Sequence, residues 1–211
     1  IRTPMNAIMG FTELAKRHIN EPEVLSGYLD KIDTSNHHLL DLIDDLLEMS
    51  KIDYGNTDIK DEVCNLKRQL QIVADMFKVQ AEEKGIHLET EFDLPNDEVH
   101  ADSLRFRRVM SNLVGNAVKF TPNDGFVKIT ARQKKVSDSG YARYEFSVID
   151  NGVGMSEDFM KRMFNAFERE STSTQTGYLG TGLGLTITKK LLNIMGGSDR
   201  KSTRLNSSHD Q

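Results

Sequence analysis

The sequence predicts an α+β protein in which an antiparallel helical hairpin, residues 1–54, precedes an α/β sandwich, residues 60–198. Apolar side chains recur at alternating spacings of three and four over residues 1–52, as they do along paired helices. Two later segments, within residues 126–149, alternate apolar and polar residues as an antiparallel strand pair does. Strand and helix patterns are segregated along the chain, which favours a sheet covered by helices over a βαβ fold.

The length, charge and cysteine content of the chain exclude some classes of protein function. A chain of 211 residues has room for one medium domain and a hairpin. The net charge of −5 and the isoelectric point near 5.7 argue against a nucleic-acid partner, which requires a basic face. Cys64 is the single cysteine, so a disulfide framework is excluded and a reducing, cytoplasmic setting is expected. No apolar run approaches the roughly 20 residues that a membrane span needs.

Two helices are predicted in the hairpin. The first has apolar or small residues three and four positions apart, at Ile1, Met5, Ile8, Thr12, Ala15 and Ile19. The second is expected to begin within residues 20–23, where Asn20 supplies a cap and Pro22 suits the first turn. It carries a heptad seam formed by Leu25, Leu29, Ile32, Asn36, Leu39, Ile43 and Leu46, with a second apolar row at Leu40 and Leu47.

Two apolar rows cannot both be buried inside one hairpin. Pairing two hairpins into a homodimeric four-helix bundle through residues 1–52 would bury both, and we expect this arrangement. Asn36 inside the seam would then help to set the register of the bundle, at some cost in stability. The alternative is a hairpin that packs intramolecularly on the following domain.

The sandwich is expected to begin after a turn-rich boundary at residues 53–58. Its helices are predicted at residues 64–84, ended by Gly85, at residues 103–120, opened by Asp102 or Ser103, and at residues 156–165 and 183–195. Its strands are predicted at residues 86–92, 126–136 and 141–149, the last two joined through residues 137–140.

Two glycine motifs are candidates for nucleotide binding. The first, Asp150-Asn151-Gly152-Val153-Gly154, follows an apolar strand. A carboxylate buried at a strand end can accept a hydrogen bond from an adenine amine, and glycines let the backbone approach the base. In isolation this motif is more often a simple turn.

The second glycine motif opens a helix, where backbone amides freed of side-chain bulk can bind phosphate. Its residues are Gly180, Thr181, Gly182, Leu183 and Gly184. It is not a Walker A loop, since no Lys-Ser/Thr pair follows, nor a dinucleotide fingerprint, since no βαβ unit surrounds it. Taken alone, it is equally compatible with a flexible loop before a helix.

One face of the helix at residues 103–120 combines amide and ammonium groups. Asn112, Asn116 and Lys119 are spaced four and three apart, so they share that face. Mg²⁺ prefers a few protein oxygens together with phosphate and water oxygens, and an amide can supply one. An ordinary solvated face is less favoured, because asparagine has only middling helix propensity.

These motifs, in this order, resemble the N, G1 and G2 boxes of the sensor histidine kinases of two-component systems, whose ATP-binding domain has the Bergerat fold. The resemblance implies that Asp150 recognises adenine, that Asn116 binds Mg²⁺ and that Asn112 assists phosphate binding, while Lys119 offsets phosphate charge. ATP and Mg²⁺ are the expected cofactors.

Residues 1–8 resemble the H box of the same family, whose phosphoacceptor histidine would lie two positions before Ile1. The resemblance gives Thr3 the position that orients water for dephosphorylation of the partner. The neighbouring His37 and His38 lack this sequence context and are expected to be surface or packing residues.

The segment between the glycine motifs resembles the family's F box and mobile lid. The resemblance implies that Phe164 and Phe167 anchor the lid and that Arg169 stabilises charge on the γ-phosphate. Residues 171–177 are small and polar, as a lid should be. An ordinary loop of this length is uncommon in a compact domain.

The C-terminal end departs from the family pattern. Two final strands are expected after Gly196 and Gly197, whereas residues 199–211 contain one large apolar residue, Leu205, and no periodicity. This tail resembles the translation of a sequencing-library adapter, with a natural disordered terminus as the alternative. We therefore expect the chain to be poorly stable, with an unpaired sheet edge. Because the family's phosphoacceptor histidine would lie before Ile1, we also expect that the chain does not phosphorylate itself.

The resemblance as a whole implies a histidine kinase that receives the γ-phosphoryl group of ATP on a histidine and passes it to a response-regulator aspartate. The chain would be the cytoplasmic portion of a membrane-anchored or hybrid kinase. A non-catalytic dimerisation and nucleotide-binding fragment is one alternative. Another ATPase of the same fold, such as a DNA-repair, topoisomerase or chaperone ATPase, is disfavoured by the hairpin.

Overall fold

A computed structural model describes residues 1–54, 59–134, 142–170 and 180–199. These residues form two compact units, the first drawn from Ile1–Thr57 and Asn165–Ile187, the second from Asp58–Phe164 and Thr188–Gln211. Four sequence expectations lie outside the described residues, in whole or in part: the boundary turn, the loop at 137–140, the lid at 171–177 and the tail. Within the described part, none of the helices is long and apolar enough to span a bilayer.

The first unit contains the predicted hairpin. Helix α1 spans Arg2–Arg17 and α2 spans Pro22–Asp53, so the two-helix prediction is confirmed. Pro22 occupies the first turn of α2, where its missing N–H leaves no hydrogen bond unmade. The expected Asn20 cap is wrong, because the N-cap residue is Glu21 and its side chain makes no capping hydrogen bond.

The predicted seam of α2 separates into an inner and an outer row. Leu25, Ile32, Leu39 and Leu46 are half-buried, and α2 packs on α1. The outer row remains accessible, with exposed fractions of 52% at Leu29, 58% at Leu40, 40% at Ile43 and 54% at Leu47. Asn36 is also exposed. Leu42 and Ser35, which lie between the seam positions, complete the inner face. Hence the seam does not form one continuous buried stripe.

Within the part of the chain that the structure describes, the strands lie in the second unit. The remaining elements are β1 Glu62–Asn65, α3 Leu66–Glu83, β2 His87–Asp93, β3 Glu98–Ala101, α4 Ser103–Phe120, β4 Phe126–Lys134, β5 Arg143–Asp150, α5 Glu157–Arg162 and α6 Gly184–Ile194, which begins in the first unit. Seven of these match predicted elements, whereas β1 and β3 were not predicted. Cys64 lies in β1, so the helix expected from residue 64 begins at Leu66.

The strands form a three-stranded sheet in the order β2-β4-β5 and a separate antiparallel pair of β1 with β3. The hairpin of β4 and β5 is antiparallel, with Val127 opposite Asp150, as predicted. The β2–β4 pair is parallel, with His87 opposite Phe126, and α4 lies in the connection. A parallel pair needs such a crossover, which the segregated pattern of the sequence did not indicate.

One face of the sheet packs against α3 and α4, and the core lies between them. Its fully buried side chains include Leu70, Val73, Val114, Val118, Val127 and Ile129. The opposite face carries a charged ladder in which Lys128 contacts Glu89 and Glu91 at 3.0 and 2.7 Å. Hydrogen bonds from Lys128 and then Arg132 hold the pKa of the Glu91 carboxyl below its usual value. Buried and charged side chains therefore alternate along the strands, as the two-residue period of the sequence predicted.

Asp102 is the buried N-cap of α4. Its carboxylate accepts hydrogen bonds from the amides of Arg105 at 3.0 Å and Lys60 at 3.1 Å. Burial opposes ionisation of Asp102, but these hydrogen bonds and the charges of Arg105 and Lys60 outweigh it and lower the pKa of the carboxyl. The sequence expectation of a cap at Asp102 is confirmed.

We expect the stabilising effect of Asp102 to depend on pH. Because its folded pKa lies below its ordinary value near 3.8, the stabilisation is present above that pH and is lost as pH falls through the folded pKa. Asp102→Asn keeps a capping oxygen without the charge and should lower the free energy of unfolding by about 1 kcal/mol at pH 7. Denaturant titrations should show this difference vanishing near pH 2, with the exposed Asp158→Asn as control. An equal loss of unfolding free energy at both pH values would show that the charge of Asp102 does not stabilise the fold.

Candidate functional site

Helix α4 presents the three predicted polar residues side by side. Asn112, Asn116 and Lys119 are half-buried, whereas Val114 and Val118 are fully buried in the core. The polar face therefore lies beside the packed face of α4, at the boundary with solvent.

The loop after β5 contacts the C-terminal end of α4. Asp150 ends β5, and its Oδ1 accepts a hydrogen bond from the Gly152 amide at 2.9 Å. The Val153 amide donates to the Phe120 carbonyl at 3.3 Å. This contact brings the first glycine motif to the helix that carries the asparagines, although 30 residues separate Phe120 from Asp150.

Two glycines of this loop have steric reasons to be glycine. A Cβ at Gly152 would lie 2.8 Å from the Phe120 carbonyl oxygen and 2.8 Å from Asp150 Oδ1. Gly154 has φ of +70°, in the left-handed region that side chains disfavour, with open space around it. The loop therefore approaches α4 as closely as backbone atoms allow.

Asp150 differs from expectation in its exposure. The strand pattern predicted a carboxylate buried at the strand end, but the Asp150 side chain is exposed. β5 ends at this residue, and Asp150 with Val127 is the last residue pair between β4 and β5. Within the described part of the chain, its Oδ2 accepts no hydrogen bond. That oxygen is free to accept from a ligand.

Helix α6, which follows the second glycine motif, contacts α4 in the second unit. Asn112 Nδ2 donates to Thr188 Oγ1 at 3.3 Å, a contact between residues 76 positions apart. Lys189 Nζ lies 5.5 Å from the centroid of the half-buried Phe164 ring. Thr188 and Lys189 were not among the predicted site residues, because no motif marks either one.

The second glycine motif is locally constrained. Gly182 has φ of +70°, and its carbonyl accepts a hydrogen bond from the Phe167 amide at 3.0 Å. A Cβ at Gly182 would lie 3.0 Å from the backbone carbons of Phe167. Phe167 itself has φ of +66° and a 60% exposed side chain. The backbone of Phe167 and the backbone of the glycine motif are therefore in direct contact.

Thr181 links this motif to α2 within the first unit. Its hydroxyl donates to Asp45 Oδ2 at 2.8 Å and accepts from the Leu183 amide at 3.1 Å. Asp45 is only 6% exposed. Sequence reasoning missed Asp45, which lies 136 residues from Thr181 and has no motif around it. The Leu183 side chain is fully buried, so only its backbone can reach a ligand.

The remaining predicted residues differ in exposure. Thr3 is exposed in the first turn of α1, and Arg169 is exposed shortly after Phe167. Gly180 and Gly184 are half-buried, and Gly184 is the first residue of α6. His37 and His38 lie on α2, where His37 Nδ1 hydrogen-bonds the Asp33 carbonyl at 3.0 Å.

The described residues contain no cluster of three or more acidic, histidine or cysteine side chains suited to a metal ion. Asn116 could supply one amide oxygen from the α4 face, which is half-buried and open to ligand. Such a donor suits Mg²⁺, which takes most of its ligands from phosphate and water. The polar face of α4 therefore fits a metal that arrives with a phosphate-bearing ligand.

Family models match both parts of the chain. The model described as a histidine kinase-, DNA gyrase B- and HSP90-like ATPase matches residues 101–209, and the His Kinase A (phospho-acceptor) domain matches residues 1–55.

Similar proteins span nearly the whole chain. The autoinducer 2 sensor kinase/phosphatase LuxQ of Vibrio vulnificus is 34% identical over 198 residues, covering 93% of this chain and 23% of LuxQ. The signal transduction histidine-protein kinase BarA of Escherichia coli is 35% identical over 199 residues, covering 93% of this chain and 21% of BarA. The chain thus spans less than a quarter of the length of these curated relatives.

Solved structures agree with the fold. Full-length ShkA in complex with AMPPNP matches with 32% identity and a TM-score of 0.67, covering 93% of this chain and 39% of ShkA. The histidine kinase ThkA in complex with the response regulator TrrA matches with 26% identity and a TM-score of 0.71, covering 95% of this chain and 55% of ThkA.

Proposed function

The chain belongs to the sensor histidine kinase family, and we propose from this premise that it binds Mg·ATP and supports transfer of the γ-phosphoryl group to a histidine and then to a response-regulator aspartate. The single observation that carries the proposal is the contact of the Asp150–Gly154 loop with the end of α4. It places a free carboxylate oxygen and a polar amide face in one compact unit.

ATP recognition is assigned to groups on both sides of this contact. Asp150 Oδ2 accepts a hydrogen bond from the adenine amine, while Oδ1 stays bound to the Gly152 amide. Asn112 and Lys119 face the phosphates, where the ammonium offsets negative charge. Within the first unit, the backbone amides of Gly180–Gly184 and the Arg169 side chain are proposed separately as phosphate-binding groups. The AMPPNP complex of ShkA, a protein of similar fold, supports the proposal that this chain binds ATP.

Asn116 is proposed as the single protein ligand to Mg²⁺. We expect Asn116→Ala to remove the Mg²⁺-dependent part of ATP-analogue affinity, about 10-fold, because one charge-assisted contact is lost. Titrations of the chain with AMPPNP, in Mg²⁺ and in EDTA, measure the Mg²⁺-dependent part of the affinity. The control is Asn193→Ala on the exposed side of α6. Unchanged Mg²⁺ enhancement in Asn116→Ala would show that another residue binds the ion.

Catalysis in this proposal depends on positioning and charge neutralisation. The histidine nitrogen attacks the γ-phosphorus in line with the leaving β-phosphate oxygen, so that a phosphohistidine forms and ADP departs. Lys119 and Arg169 stabilise the charge that develops on the phosphate oxygens. Thr3 is proposed to orient water for a separate reaction, in which the regulator's phosphoaspartate is hydrolysed to aspartate and inorganic phosphate.

Homodimerisation through residues 1–52 is supported by the outer row of α2. Leu29, Leu40, Ile43 and Leu47 are all at least 40% exposed, and burying each would contribute about 1.5–3 kcal/mol. We expect the chain to sediment as a dimer and the double variant Leu40→Lys, Leu47→Lys to sediment as a monomer of unchanged helix content. Leu104→Lys, 65% exposed on α4, is the control. A monomeric unsubstituted chain would reject the bundle.

Phosphotransfer is tested with radiolabelled ATP on a chain in which a His-Glu pair precedes Ile1, the spacing that the family resemblance implies. We expect an acid-labile label on the added histidine, transferable to a receiver domain, and none when glutamine replaces that histidine. A folded chain that binds Mg·ATP but takes up no label would favour the non-catalytic dimerisation and nucleotide-binding fragment instead.

A further inference from the structure

One lysine binds three backbone carbonyls at the C-terminal end of α4. Lys84 follows α3 as its C-cap residue and is half-buried. Its Nζ lies 2.8 Å from the Val118 carbonyl oxygen, 3.1 Å from that of Lys119 and 2.5 Å from that of Thr121. An ammonium group has three N–H donors, which is enough to donate one to each of these carbonyls.

The carbonyls at the end of a helix have no partners within the helix and carry the negative end of its dipole. A cation at this position therefore forms charge-assisted hydrogen bonds and stabilises the last turn. Phe120 lies within this run, between Lys119 and Thr121. Its carbonyl accepts from the Val153 amide, at 3.3 Å.

The backbone around Lys84 fixes where the ammonium lies. The Lys84 carbonyl accepts from the Asp124 amide at 3.0 Å, which ties the end of α3 to the turn after α4. Gly85 follows with φ of +66°, and a Cβ there would lie 2.5 Å from Asp124 Oδ1. Side chain and main chain of Lys84 therefore hold the same turn from two sides.

We propose that Lys84 is a positioning residue that orders the last turn of α4 so that the Phe120 carbonyl holds the Asp150–Gly154 loop for nucleotide. The part of this proposal that concerns affinity rests on the proposed ATP-binding function. Lys84 touches no reacting atom; it acts through Phe120 and Val153. No motif of the nucleotide site includes it.

The test compares Lys84→Met, which removes all three donors, with Lys84→Arg, which keeps charge and donors. The control is Lys78→Met, an exposed lysine on α3. Amide hydrogen exchange at Thr121 and Val153 is measured first, without nucleotide, and affinity for Mg·AMPPNP second. Lys84→Gln, which retains a neutral donor, replaces the methionine variant should that variant not fold.

Lys84→Met is expected to speed exchange at Val153 and weaken Mg·AMPPNP binding, each at least about 10-fold, with Lys84→Arg within about 3-fold of the unsubstituted chain. Equal Val153 exchange in Lys84→Met and Lys78→Met would overturn the proposal, as would an arginine variant as defective as methionine. Faster exchange in a chain that binds no nucleotide at all would uphold the positioning role and reject the proposed ATP site.

Discussion

Asp150→Ala is expected to weaken ATP binding about 10- to 100-fold and to abolish discrimination between ATP and GTP. The reason is that the variant removes the charged acceptor for the adenine amine, a hydrogen bond of about 1.5–3 kcal/mol. Guanine presents a carbonyl where adenine presents its amine, so the carboxylate repels it. Competition titrations with both nucleotides measure the affinity and the discrimination together.

A second strand-end carboxylate provides the matched control for this prediction. Asp93 ends β2 as Asp150 ends β5, and both are exposed. Asp93→Ala should leave both nucleotide affinities unchanged. Asp150→Asn retains an oxygen for the Gly152 amide, so it separates loss of the charge from collapse of the loop. Retained preference for ATP in Asp150→Ala would remove the adenine assignment.

Gly182→Ala is expected to destabilise the chain by about 2–4 kcal/mol and to abolish nucleotide binding. A side chain at φ of +70° is disfavoured by about 1–2 kcal/mol. The added Cβ would also press on the Phe167 backbone at 3.0 Å, and such overpacking typically costs about 1–3 kcal/mol. Relief of that contact requires the glycine motif to move away from Phe167, which breaks the hydrogen bond between the two residues.

Gly196 isolates the two contributions. Its φ is +71°, but no atom lies within 4 Å of an added Cβ, so Gly196→Ala adds the backbone strain alone. Denaturant unfolding should therefore show a loss of about 1–2 kcal/mol for Gly196→Ala and a larger loss for Gly182→Ala. Equal losses, or normal nucleotide affinity in Gly182→Ala, would show that the close fit to Phe167 has no role.

The parts of the fold with long periodic patterns were predictable from the sequence. Both hairpin helices and α4 have enough turns for their apolar spacing to be clear, and Gly85 marks the end of α3 by its left-handed backbone. Strands β1 and β3 have four residues each, too few for an alternation to differ from chance. Their pairing is decided by contacts 33 to 39 residues apart in sequence.

The candidate site likewise has residues that the sequence indicated and partners that it did not. The glycine motifs and the spacing on α4 are local features, so the residue types alone indicated them. The partners of those residues are distant: Asp45 for Thr181, Thr188 for Asn112 and Lys84 for the end of α4. The exposure of Asp150 likewise depends on where the sheet ends, which a strand pattern does not specify.

The central claim, that this chain has a Mg·ATP site built from the β5 loop and the polar face of α4, is tested most directly by calorimetric titration. The 211-residue chain would be titrated with AMPPNP in the presence of Mg²⁺, with circular dichroism confirming that it is folded. We predict one nucleotide bound per chain, weaker binding in EDTA and no binding of the guanine analogue. A folded chain that binds no AMPPNP, or that binds adenine and guanine nucleotides equally, would contradict the claim.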